Sequence, residues 1–133
     1  MTSEDLTAPA EAAVDGSAAN GERGRSLALV SRALVRLYKE QFGRGPETAH
    51  SYYAGPDTVI CLLADTLTPV ERSMLEMGEH QRLRDIRMLF QYATETKFRA
   101  AVEEATGRTV KAFMSGVDVE QDVACEIFVL EPE

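Results

Sequence analysis

Residues that could do chemistry are few in this chain, and they are widely spaced. His50 and His80 are its two histidines, and neither has a second histidine or a cysteine at ligand spacing, so no metal is expected. Ser31, Ser51 and Ser73 lack the strained Gly-x-Ser-x-Gly turn that presents a nucleophile. Cys61 and Cys125 lie inside apolar runs without the close spacing of a zinc or redox pair, and read as ordinary buried thiols. No cofactor and no catalytic residue is expected, and the chain reads as a protein that is not an enzyme, because no convergent set of titratable groups is visible.

Arginine offers a different chemistry, since its planar fork can hold a carboxylate or phosphate. Arg44 sits in the loop Gly43-Arg44-Gly45-Pro46. That loop follows a helix C-terminus, where the dipole repels anions, so a glycine stop with a solvated arginine is the competing reading. Arg82, Arg84 and Arg87, with Arg99 further along, give one helical stretch a basic character. They read either as a solvated face paired with Glu79, Asp85, Glu95 and Glu103, or as a docking surface for an acidic partner or an anion such as bicarbonate. With Arg108, these five form the set of candidate partner- or anion-binding residues.

These side chains must be positioned by elements that the spacing of apolar residues reveals. Leu27, Val30, Leu34, Leu37 and Tyr38 recur at three- and four-residue intervals, which predicts an amphipathic helix from an N-cap at Ser26 to a stop at Gly43. Two extended runs, 47–53 and 58–64, flank Ala54-Gly55-Pro56-Asp57 and predict a hairpin. Thr68-Pro69-Val70-Glu71 is a strong helix start, with threonine as N-cap, proline at the first helical position and a carboxylate near the positive dipole end. Gly78 separates a short helix, ending at about Met77, from a longer one over 79–105. The stripe of that longer helix is Leu83, Ile86, Phe90, Phe98, Ala101, Val102 and Ala105. Runs 109–117 and 123–130 predict a second hairpin.

Composition bounds the rest. A length of 133 residues, 44% hydrophobic and 27% charged, fits one water-soluble domain. Residues 1–24 hold almost no large apolar side chain after Leu6 and are expected to be a disordered tail, leaving 25–131 as a single α/β domain. The formal net charge of -8 argues against a nucleic-acid partner. No run reaches the ~18 apolar residues of a membrane span, so no direct membrane insertion and a cytoplasmic location are expected.

An offset of 64 residues places Gly43-Arg44 on Gly107-Arg108, Cys61 on Cys125 and Val59 on Val123, which suggests an internal duplication. The expected fold is α+β: a two-layer or three-layer sandwich with a four-stranded antiparallel sheet from two hairpins and two main helices, in the order α-β-β-α-β-β. The second strand of each hairpin looks apolar on both faces: Val59, Cys61 and Leu63 against Ile60, Leu62 and Ala64, then Val123, Cys125, Ile127 and Val129 against Ala124, Phe128 and Leu130. Strands of that kind are covered on both sides, so either helices pack on both faces or a homodimer or protein partner covers one.

With the helix ending in Gly-Arg-Gly-Pro, the hairpin, Leu67-Thr68-Pro69-Val70-Glu71-Arg72, the arginine-bearing helix, Thr106-Gly107-Arg108-Thr109-Val110 and the terminal Ile127-Phe128-Val129-Leu130, the chain resembles the MpsC-type domain family, formerly a domain of unknown function, over 26–130. The resemblance implies a small accessory or regulatory component of a bacterial sodium-translocating, membrane-potential-generating system tied to inorganic-carbon supply, with a membrane complex as its partner. It carries over no catalytic residues. The alternative is a small-anion-binding sensor or a homodimeric interaction module with no transport link.

Overall fold

The computed structural model describes residues 21–133. Helix α1 (Gly21–Phe42) leads into strands β1 (Thr48–Tyr53) and β2 (Thr58–Ala64). Helices α2 (Pro69–Glu76), α3 (His80–Ala93) and α4 (Glu95–Thr106) precede strands β3 (Val110–Asp118) and β4 (Val123–Leu130). The two expected hairpins form, and β2 and β4 keep their expected bounds. The element order is corrected to α-β-β-α-α-α-β-β.

Two helix boundaries differ from the sequence reading for local reasons. Helix α1 begins at Gly21, so residues 21–24 of the expected tail are helical and Ser26 lies inside the helix; the remainder of that tail lies outside the described residues. The long helix expected over 79–105 breaks at Thr94, whose hydroxyl donates back to the Phe90 carbonyl at 2.8 Å. Such back-bonding competes with the regular ladder and bends helices. Gly43 and Gly107 stop α1 and α4 at φ of 86° and 71°. A β-carbon is strained at those angles, and glycine has none.

The start of α2 is as the sequence predicts and more complete. The Thr68 side chain accepts from the Glu71 amide at 3.2 Å while Glu71 Oε1 accepts from the Thr68 amide at 2.8 Å, a reciprocal capping box.

All strands join one antiparallel sheet in the order β1-β2-β4-β3, so the two hairpins lie side by side with their second strands central. Cross-strand register sorts the side chains into two faces. Helices α1 and α4 pack on one face, where Leu27, Val30, Leu34, Leu37, Tyr38, Phe98 and Val102 meet Ala49, Val59, Leu63, Phe113, Ala124 and Phe128 in a single core. Among the described residues no helix covers the other face, so the sandwich has two layers rather than three. The open face is made of four cross-strand rows: Thr58-Val129-Ala112, Tyr52-Ile60-Ile127-Met114, His50-Leu62-Cys125-Gly116 and Thr48-Ala64-Val123-Asp118.

Candidate functional site

The covered face holds a row that the sequence reading passed over. Ser51 pairs with Cys61, Cys61 with Glu126 and Glu126 with Ser115, so four consecutive positions across the middle of the sheet carry polar or thiol groups. Glu126 belongs to the phase of Ala124, Phe128 and Leu130, which corrects the expectation that both faces of β4 are apolar. Ser51, Cys61 and Glu126 are fully buried. A carboxylate there needs partners, because an isolated buried charge is costly.

Two helices supply those partners. From α1, Ser31 Oγ lies 2.6 Å from Ser51 Oγ, and the Tyr38 hydroxyl donates to Glu126 Oε2 at 2.5 Å. From α3, Gln91 Nε2 donates to Ser115 Oγ at 2.6 Å and reaches Glu126 Oε2 at 3.4 Å. Glu126 Oε1 and Gln91 Oε1 have no partner among the described residues. Burial pushes the Glu126 carboxyl up to about 8, against hydrogen bonds from Ser115 and Tyr38 that oppose the shift. Burial, reinforced by Glu126, likewise raises the Tyr38 hydroxyl.

The chemistry available to this row follows from those directions. Burial pushes the Cys61 thiol up to about 12, so at neutral pH it is a thiol and not the thiolate a nucleophile requires. With its value raised to about 8, Glu126 holds its proton at neutral pH and can release it just above. The row can store a proton within the core, and its sulfur is not activated.

One turn earlier on α3, Arg87 is fully buried. Its Nε and Nη2 grip both oxygens of Glu71 at 2.8 and 2.6 Å, and Nη2 also donates to the Thr66 carbonyl at 2.9 Å. The guanidinium carbon lies 3.7 Å from the centre of the Phe42 ring, a cation–π contact on its remaining side. Burial would raise the Glu71 carboxyl, but the bonds from Arg87 and Thr68 outweigh it and leave the group below its ordinary value. The residue that caps α2 thus also anchors α3.

The six candidate arginines do not converge on one place. Arg44 donates to the Leu67 carbonyl at 2.7 Å and pairs with Glu47 at 3.5 Å. Arg108 ties the chain's end to the first hairpin through the Pro56 and Glu131 carbonyls and Asp57. Arg99 bonds Glu95 and the Val110 carbonyl. Arg82 lies 3.4 Å from Glu79, and Arg84 is exposed. The expectation of a solvated arginine face is corrected for Arg87, which faces the core.

Helix α3 buries two polar side chains and leaves large apolar ones exposed. Its buried residues are Leu83, Arg87 and Gln91, while Ile86, Leu89 and Phe90 are 38%, 65% and 42% exposed. The expected stripe is therefore corrected: Leu83, Phe98 and Val102 point inward, and Ile86 and Phe90 do not. Arg82, Ile86, Leu89 and Ala93 follow one another along the outer side at helical spacing.

A surface cleft of about 320 Å³ opens elsewhere, between the start of α1 and the first hairpin, lined by Arg23, Ser26, Tyr53, Thr106, Arg108 and Glu133 among others. Among the described residues no cluster of three or more His, Cys, Asp or Glu side chains could hold a metal ion, and no helix is long and apolar enough to cross a membrane.

The signal for Glu126 was present in the sequence as a lone acid in the run Val-Ala-Cys-Glu-Ile-Phe-Val-Leu, on the inward phase. Tyr38 and Gln91 had no such signal, because their polar roles depend on long-range contacts.

A family model described as "Na+-translocating membrane potential-generating system (MpsC)" matches residues 22–132. No curated protein and no solved structure matches the chain.

Proposed function

Since the chain belongs to the MpsC family, we propose that it is a non-catalytic accessory protein of a sodium-translocating, membrane-potential-generating system, acting from the cytoplasm by docking on a membrane-embedded partner. The observation that carries this reading is the orientation of α3. Its polar residues Arg87 and Gln91 are spent inside the protein, and Ile86, Leu89 and Phe90 are offered outside beside Arg82. Leaving such side chains in water forgoes roughly 1.5–3 kcal/mol for each one that a partner would fully bury. An apolar stripe with arginine at one end suits a partner surface that is apolar with an acidic rim.

The test is co-sedimentation of the full chain with membranes from cells that make it. Wild type should pellet with the membranes, and Leu89→Asp should weaken binding by at least about tenfold. No association, or association that Leu89→Asp leaves unchanged, overturns the reading.

The cleft beside α1 favours a second reading, a sensor for a small anion. It brings together Arg108, already paired with Asp57, and Arg23, whose guanidinium carbon lies 3.8 Å from the centre of the Tyr53 ring, with Glu22 and Glu133 also on its lining. Millimolar phosphate or bicarbonate should then raise the melting temperature, and no shift would exclude that sensor.

The duplication belongs with these proposals. Helices α1 and α4 end 64 residues apart. Arg44 donates to the carbonyl of Leu67, and Arg108 donates to that of Glu131, again at an offset of 64. Within the sheet, the pairs Cys61-Glu126 and Leu62-Cys125 exchange under the same offset, as a local two-fold between β2 and β4 requires.

A further inference from the structure

We propose that the open face of the sheet is the interface with a second copy of this chain, giving a symmetric dimer in which two sheets stack face to face between outer helical layers. The inference is independent of the docking role of α3, which lies on a different surface.

The face has the content of an interior. Its two central rows run Tyr52-Ile60-Ile127-Met114 and His50-Leu62-Cys125-Gly116 across all four strands. Tyr52, Leu62, Met114 and Val123 are among the exposed large apolar side chains. A sheet that met only water on this side would alternate toward polar residues here, as antiparallel sheets with one wet face do.

Charge narrows the choice of occupant. The chain carries a formal net charge of -8, yet the four rows contain a single carboxylate, Asp118, at the end of one of the outer rows. Two copies of like net charge repel one another overall, and this face lets them approach with few opposing carboxylates. A copy also supplies what the face requires, a second largely apolar sheet of the same dimensions whose one carboxylate lies at an edge. Closed two-fold dimers built from one self-complementary patch are the commonest assemblies of this kind.

The area suffices. From strand spacing and rise the face measures about 19 Å by 22 Å. With side-chain relief that is on the order of 700 Å² of accessible surface per copy. Two copies would bury on the order of 1,400 Å², within the range of stable, specific interfaces. Stacked sheets would sit about 10 Å apart with their strands near -30° to one another.

Sedimentation velocity on the full chain tests the proposal. Wild type should sediment at twice the 14.6 kDa chain mass. Leu62→Lys, and independently Met114→Lys on another strand, should give monomers with unchanged far-UV circular dichroism and at least about a hundredfold weaker self-association. Leu89→Asp, on α3, should leave the dimer intact. A wild-type monomer at about 100 µM overturns the proposal, and would assign the face to residues 1–20 or to a different protein. A dimer that survives both lysine substitutions, or one lost in Leu89→Asp alone, overturns it too by placing the contact elsewhere.

Discussion

The covered and open faces of the sheet are built from the same four strands, and each carries side chains that its surroundings do not suggest: a polar row amid the apolar core on one, apolar rows on the other. The covered face, packed under α1 and α4, carries Ser51, Cys61, Glu126 and Ser115 across its middle. The open face carries isoleucine, leucine, methionine and tyrosine. A buried polar row is sustained by partners from two helices, Tyr38 from α1 and Gln91 from α3, although one oxygen each of Glu126 and Gln91 stays unbonded among the described residues. The open apolar face has no such cover among the described residues, and the proposed dimer supplies it from a second copy. The difference teaches that polarity alone does not mark the working surface of this protein. A polar row works within an apolar interior, and the apolar rows of the open face are the surface the proposed dimer uses.

The largest effect on that division is expected from Arg87→Ala. It leaves Glu71, whose side chain is 14% exposed, without its bidentate partner, and removing one member of a buried ion pair typically costs about 3–5 kcal/mol. Urea denaturation measures the loss directly. A cost below about 1 kcal/mol would show that the pair behaves as a surface one.

Next comes the pH dependence of the polar row. In the unfolded chain Glu126 titrates in the ordinary carboxylate range, and in the fold burial pushes it up to about 8. Between those values the folded state holds a proton that the unfolded state has released. The stability contributed by this group is therefore full below the ordinary carboxylate range, is lost as pH rises through about 8, and is level above that. Glu71 has the opposite sign: its folded value is lowered, so its contribution is present above the ordinary range and is lost as pH falls through the folded value. Glu126→Gln should flatten the decline between about pH 5 and about pH 9 and leave the acid decline between about pH 5 and about pH 2 in place, as measured by urea midpoints at those three values. An alkaline decline that persists in Glu126→Gln would remove Glu126 as its source.

Thr68→Ala should cost about 1 kcal/mol, because it removes one half of the capping box. The smallest effect belongs to the open face. Met114→Lys should change monomer stability by less than about 0.5 kcal/mol, since Met114 is 47% exposed. A larger loss would mean that this face is part of the monomer's own core.

Much of the architecture was legible because its determinants are local. The apolar runs of β2 and β4, the glycine stops at Gly43 and Gly107, and the threonine, proline and glutamate at the start of α2 each act within a few residues. The break at Thr94 was not legible, because neither glycine nor proline marks it; only a threonine hydroxyl bonded back to the Phe90 carbonyl accompanies it. The orientation of α3 was hidden for a different reason. Periodicity alone placed Ile86 and Phe90 in the core, but the bonds from Arg87 to Glu71 and from Gln91 to Ser115 turn the helix, and both partners are distant in sequence. Of the candidate site, Glu126 could have been read from the phase of β4, whereas its partners could not.

The central claim, that one face of the sheet is interior and the other an interface, is tested most directly by the reactivity of the two cysteines. Cys61 lies on the covered face and Cys125 on the open one, partly exposed. Labelling of the native full chain with a thiol reagent should leave Cys61 unmodified at any protein concentration. Cys125, its thiol pushed up by partial burial and by Glu126, should react slowly but measurably when the protein is dilute and become protected as its concentration rises. Cys125 labelling that is independent of concentration, or Cys61 labelling as fast as that of Cys125, would contradict the account.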